Sequence, residues 1–327
     1  MIEAVVYGPE SVESYAADEL ATARDARGTT WVRAADATQA EMERVAEAFG
    51  IHPLSIEDVR GDVRPKTEEF TGHTFVLVKR ASFRRGETTF DEEVRTLPVG
   101  LFVGRDWLVT LSVHDVRAVA RVWDDVQGGD PRLLRSGPDF AAYRVIDRVV
   151  DDYFVLLDDV EDLLEEIEDG ILAGPDPEIL IALNDVRRDL LSIRKVLWPT
   201  REAVAVLARG DPDEVRQATE KYFRDVYDHL VQLVDLTETY RDLARGARDI
   251  YLNTLSQNTN EVTKTLTVVA TILLPLTFVV GVFGMNFGDS PFNMPELAWP
   301  YAYPAVVVGM AAVTVVLVVY FRQEGWL

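Results

Sequence analysis

Two uninterrupted apolar runs lie close together near the end of the chain. Residues 266–283 and 302–321 contain no charged side chain. Each run approaches the roughly 20 residues that a helix needs to cross about 30 Å of hydrocarbon. A buried hairpin is the alternative, but a soluble fold of this size would have difficulty covering two such runs. The pattern therefore predicts transmembrane helices at about 262–284 and at 301–321, joined by a loop at 285–300.

The first 135 residues alternate between short apolar runs and helical patterns. One helix is predicted from near Thr38 to just before Gly50, and a shorter one from Pro53 to just before Gly61. This mixture predicts an α/β domain over residues 1–135. Its strand-like runs are 2–7, 30–34, 74–79, 98–103 and 107–113.

From residue 138 onward the apolar positions recur every three or four residues, which is typical of helices. Residues 138–209 predict an acidic helical hairpin. A capping sequence, Asp211-Pro212-Asp213-Glu214, then predicts the start of a stalk helix that continues to 284 as the first span. Such a helix would be roughly 110 Å long. A helix of that length needs neighbours, which favours a bundle or an oligomer.

The few basic residues around the apolar runs predict the orientation. The loop at 285–300 has no Lys or Arg, whereas Arg245, Arg248 and Lys264 precede it and Arg322 follows the second run. Because cytoplasmic flanks carry the excess of basic residues, both termini are predicted to be cytoplasmic. The protein is thus expected in the cell membrane as a multi-pass protein, with an external loop and a cytoplasmic tail at 322–327.

The first span carries a seam of small and polar residues at alternating spacings of three and four. Such a seam in a membrane helix faces either other protein, as a packing interface of small residues, or water, as a pore wall. Two spans cannot enclose a pore alone, so the second interpretation requires several copies of the chain. The seam comprises Asn260, Thr263, Thr267, Ala270, Leu274, Thr277, Gly281 and Gly284.

Composition narrows the class of partner. The formal net charge is −22, of which −20 lies in residues 1–259. An acidic surface of this kind repels nucleic acid and attracts cations. The alternative is that the charge serves only solubility or adaptation to salt. The chain has no cysteine, which excludes thiolate catalysis and cysteine-ligated zinc. No phosphate-binding loop, paired-histidine zinc motif or nucleophile elbow is present, so an enzyme is not expected.

The loop after the first span carries the most specific sequence. Phe283-Gly284-Met285-Asn286-Phe287 is followed by Met294-Pro295-Glu296-Leu297, and similar segments occur upstream over most of residues 50–327. These motifs, with two C-terminal spans, resemble the CorA-type magnesium and cobalt channels. The resemblance implies a funnel-shaped homopentamer in the lipid bilayer, with a cytoplasmic α/β domain, a long-helix region and two transmembrane α-helices. It also implies Mg²⁺ as the transported ion, with Co²⁺ as a second.

The resemblance assigns roles to particular residues. Mg²⁺ releases its water reluctantly, so a filter of Gly284, Met285 and Asn286 would hold the hydrated ion through the Asn286 carboxamides. Glu296 and Asp289 would concentrate cations outside. The pore would be lined by the seam residues Asn260, Thr263, Thr267, Ala270, Leu274, Thr277 and Gly281, together with Leu266 and, on the stalk, Asp249.

The same resemblance implies regulation by Mg²⁺ bound between cytoplasmic domains. The matching carboxylates are Glu57, Asp58, Asp147 and Asp225, for which solvated surface charge is the alternative. Bound Mg²⁺ would hold the channel closed, and entry would be driven by the membrane potential, about 4.6 kcal/mol per 100 mV for a divalent ion.

The sequence departs from the family pattern at two places, and two alternative functions are compatible with it. Thr263 replaces a large apolar residue frequent in the family, and the tail after the second span holds a single Arg322 instead of a run of lysines. One alternative is a zinc-transporting relative with the same architecture. The other is a membrane-anchored sensor that binds divalent ions but conducts nothing.

Overall fold

A computed structural model describes residues 1–83, 94–174, 176–285 and 294–327. The chain divides into two compact units, Met1–Arg248 and Asp249–Leu327. The division falls within one continuous helix, so the two units share a backbone element. Each unit is described by itself below.

The first unit is built on a mixed sheet with the strand order β2-β1-β3-β7-β6-β5-β4. Neighbouring strands are antiparallel except for β3 and β7, which run parallel. The predicted α/β character is thereby confirmed. The strands are β1 (Ile2–Gly8), β2 (Ser11–Tyr15), β3 (Thr29–Ala34), β4 (Lys66–Phe70), β5 (His73–Phe83), β6 (Val94–Gly104) and β7 (Trp107–Leu111).

The two edge strands were not predicted from the sequence. β2 and β4 are polar and contain no fully buried residue, and among the described residues each pairs with one neighbouring strand. An edge strand that is not buried between layers needs no apolar pattern, because its hydrogen bonds to the neighbouring strand fix its conformation.

Short helices connect and cover the strands of this sheet. The side chain of Thr38 accepts a hydrogen bond from the Glu41 amide, and the Glu41 carboxylate accepts one from the Thr38 amide, which fixes the predicted helix start. Gly50 ends that helix with a left-handed φ of 68°. The helices are α1 (Leu20–Asp25), α2 (Gln39–Phe49), α3 (Pro53–Arg60), α4 (Arg117–Gln127) and α5 (Pro131–Leu134).

Two long helices, α6 (Pro138–Ala173) and α7 (Pro177–Arg209), follow the sheet. The Tyr153 hydroxyl on α6 donates a hydrogen bond of 2.5 Å to the Lys79 carbonyl on β5, and Arg80 pairs with Asp152 at 2.6 Å. These contacts tie α6 to the sheet, as the buried Tyr153 ring also indicates.

The longest helix, α8 (Gln217–Phe283), runs for 67 residues. It begins later than the predicted start at 211–212. Residues 211–216 form a turn instead, in which the Val215 amide donates to the Pro212 carbonyl, and the Arg216 amide donates to the side chain of Asp139. The Arg216 amide is therefore bonded to Asp139 of α6 and is not available to a helix that begins at residues 211–212.

The second unit contains the end of α8, a short 3₁₀ helix (Pro295–Ala298) and α9 (Ala302–Gln323). α8 and α9 are both long and apolar enough to cross a membrane. In each helix, only 6% of the most apolar 18-residue stretch is buried within the chain. Apolar helices left this uncovered require another apolar environment, in accord with the two predicted spans.

Candidate functional site

The end of α8 has one covered side and one open side. Val268 is buried, and Ile272, Leu276 and Val279 are partly covered, at spacings of three and four residues. The predicted seam lies on the other side of the helix. Its members Asn260, Thr263, Thr267, Leu274, Thr277, Gly281 and Gly284 are exposed in the single chain, and Ala270 is partly covered.

The seam threonines turn their hydroxyl protons back onto the helix. Thr263, Thr267 and Thr277 donate to the carbonyl four residues earlier, at 2.8, 2.7 and 2.8 Å. This is the usual bond of a helical threonine. Because the single hydroxyl proton is used, each oxygen is left as an acceptor only. A hydrated cation presents outward-pointing water protons, so acceptor oxygens suit it.

Two large apolar side chains share the open side with these hydroxyls. Leu266 is 68% exposed and Leu274 is 67% exposed. An exposed leucine would be unfavourable in bulk water, but it is tolerated in lipid, at a contact between copies, or as an apolar constriction in a pore. The open side thus alternates acceptor oxygens with apolar positions.

The predicted filter begins where α8 ends. The Gly284 amide donates to Val280 at 2.8 Å and the Met285 amide to Val282 at 3.2 Å, and the Met285 side chain is 44% exposed. Asn286 and Asp289 lie outside the described residues. Glu296 lies in the 3₁₀ helix and is exposed.

Asp147, Asp151 and His229 form a group that can hold a metal ion in the first unit. One ligand atom from each lies within 4.8 Å of the others. The two aspartates are one turn apart on α6, and His229 reaches them from α8. The His229 ring stands edge-on to Phe154 at 5.8 Å, and its buried Nδ1 has no hydrogen-bond partner among the described residues.

The electrostatics of this group favour a cation. Burial, and then the charge of Asp151, raise the pKa of Asp147, and Asp225 contributes in the same direction while Arg144 opposes them. Burial, and then the charge of Asp147, raise the pKa of Tyr143 to about 12. The Tyr143 hydroxyl therefore keeps its proton and shares a hydrogen bond with Asp147. Arg144 and His229 offset the charge of these carboxylates only in part, and a bound divalent ion would stabilise them further.

The structure brings together only part of the predicted regulatory set. Asp147 belongs to the group whose geometry can hold a metal ion, and Asp225 lies one turn before His229 and acts on Asp147 electrostatically. Asp58 instead pairs with Lys66 at 2.8 Å. Glu57 borders a groove of about 920 Å³ between α2 and α3. The predicted stalk residue Asp249 is exposed on α8.

Sequence reasoning missed Asp151 and His229. A signal was present, because Asp147 and Asp151, like Asp225 and His229, are four residues apart and so share a helix face. Only the packing of α6 against α8 brings the two faces together.

A donor set of two carboxylates and an imidazole fits a divalent ion. Carboxylate oxygens suit Mg²⁺, which prefers oxygen ligands. An imidazole nitrogen favours transition ions such as Co²⁺ over Mg²⁺.

The sequence and structure both match known proteins. A family model described as CorA-like Mg²⁺ transporter protein matches residues 26–323. The Cobalt/magnesium transport protein CorA of Thermotoga maritima is 34% identical over 331 residues, covering 100% of this chain and 92% of that protein. The protein of the same name from Methanocaldococcus jannaschii is 27% identical and covers 91% of each chain.

A solved structure agrees with the fold along the whole chain. The complete structure of the CorA magnesium transporter from Methanocaldococcus jannaschii superimposes with a TM-score of 0.83, at 23% identity, over 100% of this chain and 99% of that one. At this identity the likeness concerns the fold.

Proposed function

The chain belongs to the CorA-like Mg²⁺ transporter family, and on this premise we propose that it is one subunit of a divalent-cation channel that carries Mg²⁺. Co²⁺ is the second expected cargo, since relatives are named cobalt/magnesium transport proteins. The channel lies in the cell membrane, with both termini in the cytoplasm.

The open side of α8 carries this proposal. It places Thr263, Thr267 and Thr277, with oxygens that can only accept hydrogen bonds, on the exposed side of the mostly apolar last part of α8. One helix cannot enclose water, so several copies must turn these sides toward a common axis. A homo-oligomer, expected to be a pentamer, supplies them. These sides then enclose a column of water along the axis. Rings of Leu266 and Leu274 narrow this column and block ions by excluding water when the channel is closed.

The outer end of the column selects the ion. Mg²⁺ keeps its tightly held water, so a ring of Asn286 carboxamides binds the hydrated ion through hydrogen bonds to that water. Gly284 and Met285 position this ring where α8 ends. Glu296 and Asp289 raise the local cation concentration at the external mouth.

The carboxylates of the cytoplasmic unit regulate the channel. Asp147, Asp151 and His229, with Asp225 close by, bind a divalent ion that offsets their charge. Glu57 and Asp58 on α3 of a neighbouring copy complete the ligand set between subunits. When cytoplasmic Mg²⁺ falls and the ion leaves, the carboxylates repel one another and the subunits separate, which opens the column.

The membrane potential supplies the driving force. A divalent ion that crosses the full field gains about 4.6 kcal/mol per 100 mV. No covalent reaction is required, which is consistent with a transporter family.

Flux into vesicles tests the proposal. The full chain is reconstituted into liposomes with an entrapped ion-sensitive dye, and an inside-negative potential is set by valinomycin and K⁺. Mg²⁺ and Co²⁺ should enter, faster as the potential grows and more slowly when Mg²⁺ is added on the cytoplasmic side. Flux of Zn²⁺ alone would support the zinc-transporting alternative. Ion binding without any flux would support the sensor and contradict the channel.

A further inference from the structure

The residues after α9 fold back as a C-terminal hook, defined here as Glu324–Leu327. Gly325 has a left-handed φ of 69°, and the Trp326 amide donates to the Phe321 carbonyl at 2.7 Å. The Trp326 ring stacks on Phe321 with centroids 5.8 Å apart and planes 28° apart. This is the glycine-ended helix stop in which a 6→1 hydrogen bond is accompanied by an apolar contact.

The hook holds the side chain of Lys264 on α8. The Lys264 ammonium donates a hydrogen bond of 2.5 Å to the Gly325 carbonyl and lies 5.9 Å from the centre of the Trp326 ring. A carbonyl dipole and an aromatic face both stabilise a cation. The two apolar helices are thereby joined at their cytoplasmic ends.

Lys264 lies at a position on α8 from which its charge could reach either side of the helix. It is the one basic residue between Arg248 and Arg322. It follows Thr263 directly, so it lies at the border between the open side and the covered side that carries Val268. Its flexible four-carbon stem can place the ammonium on either side. The backbone position of Lys264 therefore does not decide where its charge lies.

We propose that the hook is a positioning element, which draws the Lys264 ammonium to the covered side of α8 and keeps a ring of positive charge out of the inner mouth. This inference rests on the proposed channel function. Released lysines would line the water column next to Thr263, where their charge repels an incoming divalent ion. The hook thus supports conduction without contacting the ion.

A double-mutant cycle in the liposome flux assay tests this inference. Trp326→Ala should slow Mg²⁺ flux by at least about fourfold, the effect of a unit charge roughly 10 Å from a divalent ion in water. Lys264→Gln should conduct at least as well as the wild type. The double variant should match Lys264→Gln, because the hook acts only through the lysine.

The outcomes separate this inference from the channel proposal. If the wild type conducts and the Trp326→Ala loss persists in the Lys264→Gln background, the hook acts by another route and the inference is wrong. Unchanged flux in Trp326→Ala also overturns it. If the wild type conducts nothing, the channel proposal itself fails.

Thiol cross-linking tests the contact without transport. The chain has no cysteine, so Lys264→Cys combined with Glu324→Cys provides a unique pair. A short bifunctional thiol reagent should join this pair within one chain much faster than Lys264→Cys with Tyr301→Cys, at the other end of α9. Equal rates for the two pairs would contradict the hook geometry.

Discussion

The buried carboxylate of Asp139 accepts hydrogen bonds from both the backbone amide and the guanidinium group of Arg216, 77 residues further along the chain. The amide lies 3.0 Å from Oδ2 and the guanidinium Nε 2.9 Å from Oδ1. Asp139 is 1% exposed at the start of α6, so this contact fixes where α8 begins relative to α6. It also explains why the local capping sequence at 211–214 does not start the helix.

Arg216→Ala should destabilise the protein by about 3 kcal/mol, because it removes the guanidinium donors from a buried carboxylate. The measurement is the thermal unfolding midpoint of the full chain in detergent, followed by tryptophan fluorescence; Trp31 and Trp123 are buried in the first unit. As a control, Arg188→Ala removes an exposed pair with Asp185 and should cost less than about 0.5 kcal/mol. Equal shifts in the two variants would contradict a structural role for the Asp139 pair.

Asn286→Ala should reduce Mg²⁺ uptake more than tenfold, since each subunit loses a hydrogen bond worth about 1 kcal/mol to the hydrated ion. Uptake is measured in a cell deficient in magnesium transport, with membrane expression checked by blotting. Asn184→Ala, at an exposed position on α7, is the matched control and should leave uptake unchanged. Full uptake by the Asn286 variant would refute the filter assignment.

Thr277→Val should slow Mg²⁺ flux at least about fivefold, because valine keeps the shape of threonine but removes from each subunit an acceptor worth about 1 kcal/mol. Thr314 on α9 makes the same bond, to the Met310 carbonyl at 2.9 Å, but is partly covered. Thr314→Val therefore controls for the loss of a helical hydroxyl and should conduct normally in liposomes. If both variants behave alike, the open side of α8 does not face the ion path.

His229→Ala should weaken Co²⁺ binding about tenfold, with a smaller effect on Mg²⁺, because the imidazole nitrogen favours the transition ion. Binding is measured as the rise in unfolding temperature with ion concentration, which needs no transport. His114→Ala is the control, since His114 is exposed in the first unit. An equal loss for the two ions would argue against His229 as a ligand.

Lowering the pH from about 7.5 to about 5.5 should destabilise the first unit through His73. His73 is 4% exposed, and burial lowers its pKa below the ordinary 6.5. The unfolded chain then binds the proton more readily, so stability is present above pH 6.5 and falls below it, by at most about 1.4 kcal/mol per pH unit.

His73→Phe should reduce this pH dependence and retain the stack on Phe70, where the ring centroids are 5.1 Å apart. The unfolding midpoint is compared at the two pH values for the wild type, His73→Phe and the exposed control His114→Phe. The same pH dependence in all three proteins would show that other groups control the transition.

Local sequence patterns predicted the helices and helix ends that depend only on neighbouring residues. Thr38 and Gly50 bound α2 because the capping box and the left-handed stop involve only nearby residues. The open side of α8 was predicted for a similar reason, since its spacing of three and four follows from the helix period alone.

The contacts that build the candidate sites are distant in sequence. His229 lies 82 and 78 residues from the two aspartates that it meets, and Lys264 lies 61 residues from the carbonyl that it binds. No periodicity relates such positions. The roles of Asn286, Glu57 and Asp58 stay predictions that the variants and flux measurements address.

The sequence by itself determined two apolar spans, a long helix leading into the first of them, and a polar edge along that span, because hydrophobicity and helix period act on neighbouring residues. Tertiary structure decided the edge strands β2 and β4, the start of α8 at Gln217, the group of Asp147, Asp151 and His229, and the side on which the Lys264 charge lies. Each of these depends on a partner far away in the chain, and only the folded backbone brings that partner within the few ångströms over which hydrogen bonds act.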